Sequence, residues 1–208
     1  MQLFKSIWFR CVATLLAIIL ISGVSIAVLS DVLYVSPEER TARGITKVYG
    51  RLVDYDTIYD VDSKEYTFDK LTSEQQKLVK QEKGEITKIY TIGADELLFQ
   101  SIGFNGFKNG TVTLWIRVKN QNNKYSIEQV VLESNKSQSL IGNLKADYYK
   151  NFELTDVTEA WKNGQLFVTK GEGNLNPVAG ATYSATAGNN AVNCVIKYVG
   201  EVYDLEKN

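Results

Sequence analysis

Thr111-Val112-Thr113-Leu114-Trp115-Ile116-Arg117-Val118 alternates along its length. Val112, Leu114, Ile116 and Val118 fall on one side of an extended chain, with Thr111, Thr113, Trp115 and Arg117 on the other. A period of two is the pattern of a strand with one buried face. Asn120 to Asn123 form a polar turn and Tyr125 to Leu132 read as the returning strand, which makes the segment a β-hairpin. Upstream, Glu85–Thr91 alternates as a further strand, and short strand-like runs lie around Tyr55–Tyr59 and Glu65–Phe68. A polar helix is expected from Ser73 to about Lys83, opened by Ser73 and closed by Gly84. Downstream, Leu140–Phe152 reads as a helix with Leu144, Tyr148 and Phe152 on one face. Gln165–Thr169 reads as a last short strand and residues 184–200 as a last helix. Helices and strands interleave without a βαβ rhythm, so the expected class is α+β, an antiparallel sheet with packed helices.

The N-terminal end is of another kind. From Cys11 to Ser30 there are 20 consecutive uncharged, mostly apolar residues, between Arg10 and Asp31. A helix of that length spans about 30 Å, the hydrocarbon thickness of a bilayer. Lys5 and Arg10 precede it, and the positive-inside tendency places residues 1–10 in the cytoplasm and the rest outside. Ser25-Ile26-Ala27 offers the competing reading of a cleaved signal peptide. The apolar run continues to Leu33, which favours a retained anchor over 11–30. Residues 31–50 then read as an entry helix: Ser36 as cap, Pro37 at the first helical position, Glu38 and Glu39 in the first turn, Gly50 as stop. Residues 51–208 follow as the exported domain.

Composition narrows the chemistry. The 208 residues are 44% hydrophobic and 23% charged, the balance of a globular protein. Of 23 basic residues, Lys5 and Arg10 precede the exported part; the remaining 21 face 24 acidic ones, a net −3. Nothing in that balance points to nucleic acid. There is no histidine, which removes His-based triads, His general bases and most zinc sites. Cys11 and Cys194 read as small apolar residues rather than a disulfide or a cluster ligand set. Neither a catalytic side chain nor a metal site is expected.

The stretch with the most chemical content is Gly180-Ala181-Thr182-Tyr183-Ser184. Small residues open a turn, and Ala191, Val192, Val195, Ile196 and Val199 then recur at helical spacing. Thr182 and Ser184 therefore sit at a helix N-terminus, where unpaired N–H groups and the positive end of the macrodipole favour an anion. A plain Ser/Thr helix cap is the other reading of the same residues.

Gly-Ala-Thr followed by a hydroxyl residue near a C-terminus resembles the flavinylation motif of the FMN-binding domain family of the Rnf and Nqr membrane complexes. The order of features is similar too: an anchor, an entry helix, the aromatic-Gly turn Phe104 to Gly110, the hairpin, then the late motif. The resemblance implies an FMN esterified through its phosphate to Thr182 by a flavin transferase, with Gly180, Ala181, Tyr183, Ser184 and Asn176 around it. Tyr183, Phe104, Phe107 and Trp115 are the aromatic candidates for the ring, and Asn174 and Asn176 for the ribityl chain. It further implies an electron-relay subunit, not an enzyme by itself, working with integral-membrane and iron–sulfur partners in an ion-pumping oxidoreductase. Family members carry Ser or Thr before Gly-Ala-Thr and an Asp six residues before the modified Thr; this chain has Ala179 and Asn176. After the hairpin, Ser137-Gln138-Ser139-Leu140-Ile141-Gly142 matches the family's turn only at its end. Two other readings stand beside this one: an anchored extracellular ligand-binding or sensor domain, and a stand-alone electron-transfer flavoprotein.

Overall fold

The computed structural model describes residues 7–63, 67–153, 155–164, 166–167 and 180–203, and the chain divides into two compact units, 1–40 and 41–208. In the first, helix α1 runs Ile7–Leu33, longer at its N-terminal end than the apolar run alone suggests. Its segment Ile7–Ile26 is long and apolar enough to cross a membrane. Leu16, Ile18, Leu20 and Ile21 are all more than half exposed, so this helix buries no core of its own. Thr14 Oγ1 donates to the Arg10 carbonyl (2.8 Å), which satisfies a hydroxyl that an apolar surrounding leaves without water. Helix α2 (Pro37–Tyr49) opens as its residues dictate. Ser36 Oγ accepts from the Glu39 N–H (3.1 Å), and Gly50 closes the helix at φ +70°.

The second unit is built on one antiparallel sheet. Its strands are β1 (Asp56–Asp60), β2 (Lys80–Gln81), β3 (Gly84–Ile92), β4 (Glu96–Gly103), β5 (Thr111–Gln121) and β6 (Lys124–Lys136). They lie in the order β1-β3-β4-β5-β6, with β2 paired to β3. The hairpin read from the sequence is β5–β6. Its turn is the two residues Asn122 and Asn123, at φ 55° and 63°, between the paired Gln121 and Lys124. Two left-handed central residues match the strand twist, and Asn tolerates that conformation.

Strand β4 was not legible as a strand. Leu97, Leu98 and Phe99 are consecutive apolar residues, because β4 is central and covered on both faces. The same cover corrects the reading of β5: Trp115 and Thr113, on the supposed solvent side, are buried along with Val112, Leu114, Ile116 and Val118. On that second face Ile45 and Val48 of α2 pack with Tyr90, Leu98 and Trp115. The larger core lies on the other face, where Phe99, Leu114, Ile116 and Ile127 meet helices α3 (Ser73–Val79), α5 (Val157–Lys162) and α6 (Thr182–Val202).

Other expectations shift in detail. Helix α3 is capped by Thr72, not Ser73, in a capping box with Gln75, and it ends at Val79 because Lys80 and Gln81 join the sheet. Gly84 starts β3 and does not close that helix. Phe68–Lys70 is a short 3-10 turn, not a strand, and Glu65 lies outside the described residues. Leu140–Phe152 breaks into a 3-10 turn (Ile141–Asn143) and helix α4 (Ala146–Lys150); Leu144, Tyr148 and Phe152 are nonetheless all buried. Of the strand expected over Gln165–Thr169, only Leu166 and Phe167 are described, and they are not in a strand.

One contact sets the position of α6. A Cβ on Gly103 would lie 1.7 Å from the Ala187 carbonyl oxygen, so helix backbone rests on strand backbone there. Ser101 Oγ adds a hydrogen bond to the Ala191 carbonyl (2.9 Å) one turn further on. Gly103→Ala is expected to destabilise the domain by about 3 kcal/mol, the upper range for an overpacked core, seen as a urea midpoint well below the parent's. An unchanged midpoint would show that helix and strand do not meet at this distance.

Candidate functional site

The candidate site is the N-terminal end of α6 and the two turns that hold it. Gly180 sits at φ +75°, a left-handed conformation that costs glycine little, and it turns the chain into the helix. Ala181 is the N-cap residue (φ −121°, ψ 17°), and its methyl side chain offers no capping acceptor. The first intrahelical bond runs from the Ala185 N–H to the Ala181 carbonyl (2.9 Å). Thr182 is the first helical residue, half-buried, and its carbonyl accepts from Thr186 Oγ1 (2.9 Å).

Ser184 is neither a cap nor an open hydroxyl. It is buried, and its Oγ donates to Gln138 Oε1 (2.9 Å). Gln138, 3% exposed, is the hub of the site. Its Oε1 also accepts from the Phe107 N–H (3.2 Å), and its Nε2 donates to the carbonyls of Lys136 (3.0 Å) and Phe107 (3.3 Å). One carboxamide thus ties the end of β6 and the Phe104–Gly110 turn to the first turn of α6. A second tie is Asn190 Nδ2, which donates to the Phe104 carbonyl (2.9 Å). The turn itself carries three residues at positive φ, Asn105, Lys108 and Asn109.

The aromatic candidates separate. Tyr183 and Phe107 stand together with ring centroids 6.1 Å apart, 55% and 43% exposed, and Lys108 Nζ lies 5.5 Å above the Phe107 ring. Between them and Leu140 is a cavity of about 60 Å³. Phe104 is half-buried beside the turn. Trp115 is withdrawn from the list: it is wholly buried on the far face of the sheet, its ring against Gly44 of α2. Ala179, Asn176 and Asn174 lie outside the described residues.

By sequence, the segments 104–110 and 134–145 contain Lys108, Lys136 and Lys145, and the start of the helix carries the positive end of its dipole. The Cys194 thiol is pushed up to about 12, chiefly by burial, so it stays protonated at neutral pH. Burial likewise raises the Tyr148 hydroxyl above its ordinary range, and it serves as a donor to Asn189 Oδ1 (2.9 Å). Among the described residues, no group of three or more Cys, Asp or Glu side chains is placed to hold a metal ion.

Gln138 and Asn190 are the residues the sequence reading missed. A Gln between two Ser residues looks like any solvated loop. The run Asn189, Asn190 and Asn193 inside an otherwise apolar helix was the available signal, since such residues are poor helix formers with no reason to be there unless bonded.

Comparison of the chain with protein-family models, with curated proteins and with solved structures returned no match.

Gln138→Leu keeps the volume and removes four hydrogen bonds, leaving the buried Ser184 hydroxyl and Phe107 N–H unpaired. The expected cost is about 2–3 kcal/mol in unfolding free energy, with faster proteolysis in the 104–110 turn. Wild-type stability and protease resistance in this variant would remove Gln138 from its role as the tie.

Proposed function

We propose that this protein is a membrane-tethered electron-transfer flavoprotein. In this reading FMN is joined by a phosphoester to Thr182, in an Rnf- or Nqr-like complex with integral-membrane and iron–sulfur partners. The observation that carries it is the place of Thr182 at the start of α6. Thr182 is the first residue of a 21-residue helix whose N-cap is Ala181, a residue with no side-chain group to cap it. A phosphate on Thr182 Oγ1 would lie at the helix tip, where the positive end of the dipole favours negative charge. Thr182 is half-buried. The sequence resemblance supplies the identity of the group.

The flavin, when bound, supplies the chemistry of accepting two electrons and passing them singly; the protein supplies position and field. Covalent attachment removes the need for tight noncovalent binding, so the ring can stay open to redox partners. Gly180 sets the entry angle, Gln138 and Ser184 fix the first turn, and α6 transmits that position to the sheet. The anchor helix α1 holds the domain at the membrane, with the N-terminus cytoplasmic and the domain outside by the charge pattern. Pumping and pyridine-nucleotide chemistry belong, in this reading, to partner subunits.

Intact-mass analysis of the chain co-produced with its flavin transferase is expected to show one FMN increment. Thr182→Val is expected to lose it completely while keeping the thermal midpoint within a few degrees. A native preparation that is colourless and carries the bare polypeptide mass would favour a binding or sensor domain instead.

A further inference from the structure

We infer that the polar groove along α6, not the exposed Phe107–Tyr183 pair, is the seat of the flavin ring and its ribityl chain. This rests on reading Thr182 as the attachment point. At 100° per residue, Thr182, Thr186, Asn189 and Asn193 fall within about 60° of arc, whereas Ser184 lies about 160° from Thr182. The face that bears Thr182 is therefore the face that bears the other three.

That face forms one wall of a groove of about 590 Å³, a volume inside the usual range for small-molecule sites. Trp161 and Phe167 line it together with Asn189, Asn190 and Asn193. The turn 104–110 divides this groove from the small cavity by Tyr183: Asn105 faces the first and Phe107 the second.

The hydrogen-bond state of the wall points to a ligand. Asn193 is spent on the backbone of Phe167, its Nδ2 donating to the carbonyl and its Oδ1 accepting from the N–H (both 2.9 Å). The Asn190 Nδ2 is spent on Phe104. Asn189 is different. It is 2% exposed, its Oδ1 accepts from Tyr148, and its Nδ2 is buried with no partner among the described residues. Such a donor costs free energy unless something bonds it. A ring edge with alternating carbonyl and N–H groups, followed by a polyol chain, offers the acceptors and donors that a carboxamide wall lacks. The cysteine that lines the groove, Cys194, is buried and protonated.

The test separates groove from attachment. Riboflavin, which has no phosphate to esterify, is titrated against the full-length Thr182→Val protein in neutral detergent, with quenching of flavin fluorescence as the readout. Binding is expected, and Thr186→Phe, which fills the groove from the exposed side of the helix, is expected to weaken it at least tenfold. Asn189→Leu is expected to weaken it too, and to lower the thermal midpoint because the buried Tyr148 hydroxyl loses its 2.9 Å acceptor. Phe107→Ala is expected to change it less than twofold. Absence of riboflavin binding, or binding lost in Phe107→Ala but kept in Thr186→Phe, overturns the groove assignment. Binding by Thr182→Val together with a native protein lacking the FMN increment supports the groove and overturns the attachment.

Discussion

The contact of α6 with β4 constrains the rest of the domain. Backbone lies on backbone where Gly103 meets Ala187, and Ser101 bonds the carbonyl of Ala191 a turn later. Only small residues permit this approach, and α6 provides them at Ala185, Ala187, Gly188 and Ala191. Once the helix is seated, its apolar stripe of Val192, Val195, Ile196 and Val199 has no choice of partner and fills the larger core. Its polar stripe is turned out along the groove. Its first turn is held at the Phe104–Gly110 turn by Gln138 and Asn190. A helix of 21 residues pinned near its N-terminal third behaves as a rigid support, and Thr182 inherits that rigidity.

The opposite face of the sheet solves a different problem. It is covered by one amphipathic helix, and its small apolar core of Ile45, Val48, Leu98, Tyr90 and Trp115 is supplemented by buried charge. Lys88, 2% exposed, pairs with Asp60 (2.8 Å) and Asp62 (2.9 Å), while Tyr90 donates to Asp60 and bonds Thr41 of α2. A buried lysine would be prohibitive alone; with two carboxylates and a phenol around it, every charge is answered. Such a network adds little net stability compared with apolar packing, but it admits one register of helix on strand. A bulge in β3 between Ile86 and Lys88 accompanies the placement of that side chain.

What was legible in the sequence follows from how each element is covered. β5 and the last helix showed their periods because each carries a long, regular apolar stripe. The caps at Ser36 and Gly50 were readable because capping chemistry is local. β4 was invisible because a strand buried on both faces has no alternation, and Leu97-Leu98-Phe99 reads equally as helix or strand. The burial of Trp115 was hidden for a related reason: nothing local announces that α2 returns to cover it. At the site, Gly180 and Thr182 stood out from short-range pattern. Gln138 did not, because its partners lie up to 46 residues away and its meaning exists only after the hairpin and α6 have met.

This division has a consequence for how the site works. The residues around Thr182 that fix geometry are neutral: Gln138, Ser184, Asn190 and the backbone they bond. The charged residues nearby, Lys108, Lys136 and Lys145, are exposed and lie on turns or at element ends. Positioning is therefore insensitive to pH and salt, since neutral hydrogen bonds in a buried setting do not titrate and are weakly screened. The field felt by a bound anion divides in the same way. The helix-end component is fixed in the fold, while the lysine component falls as ionic strength rises. An anionic group on Thr182 would keep its place under conditions that alter how fast charged partners approach it.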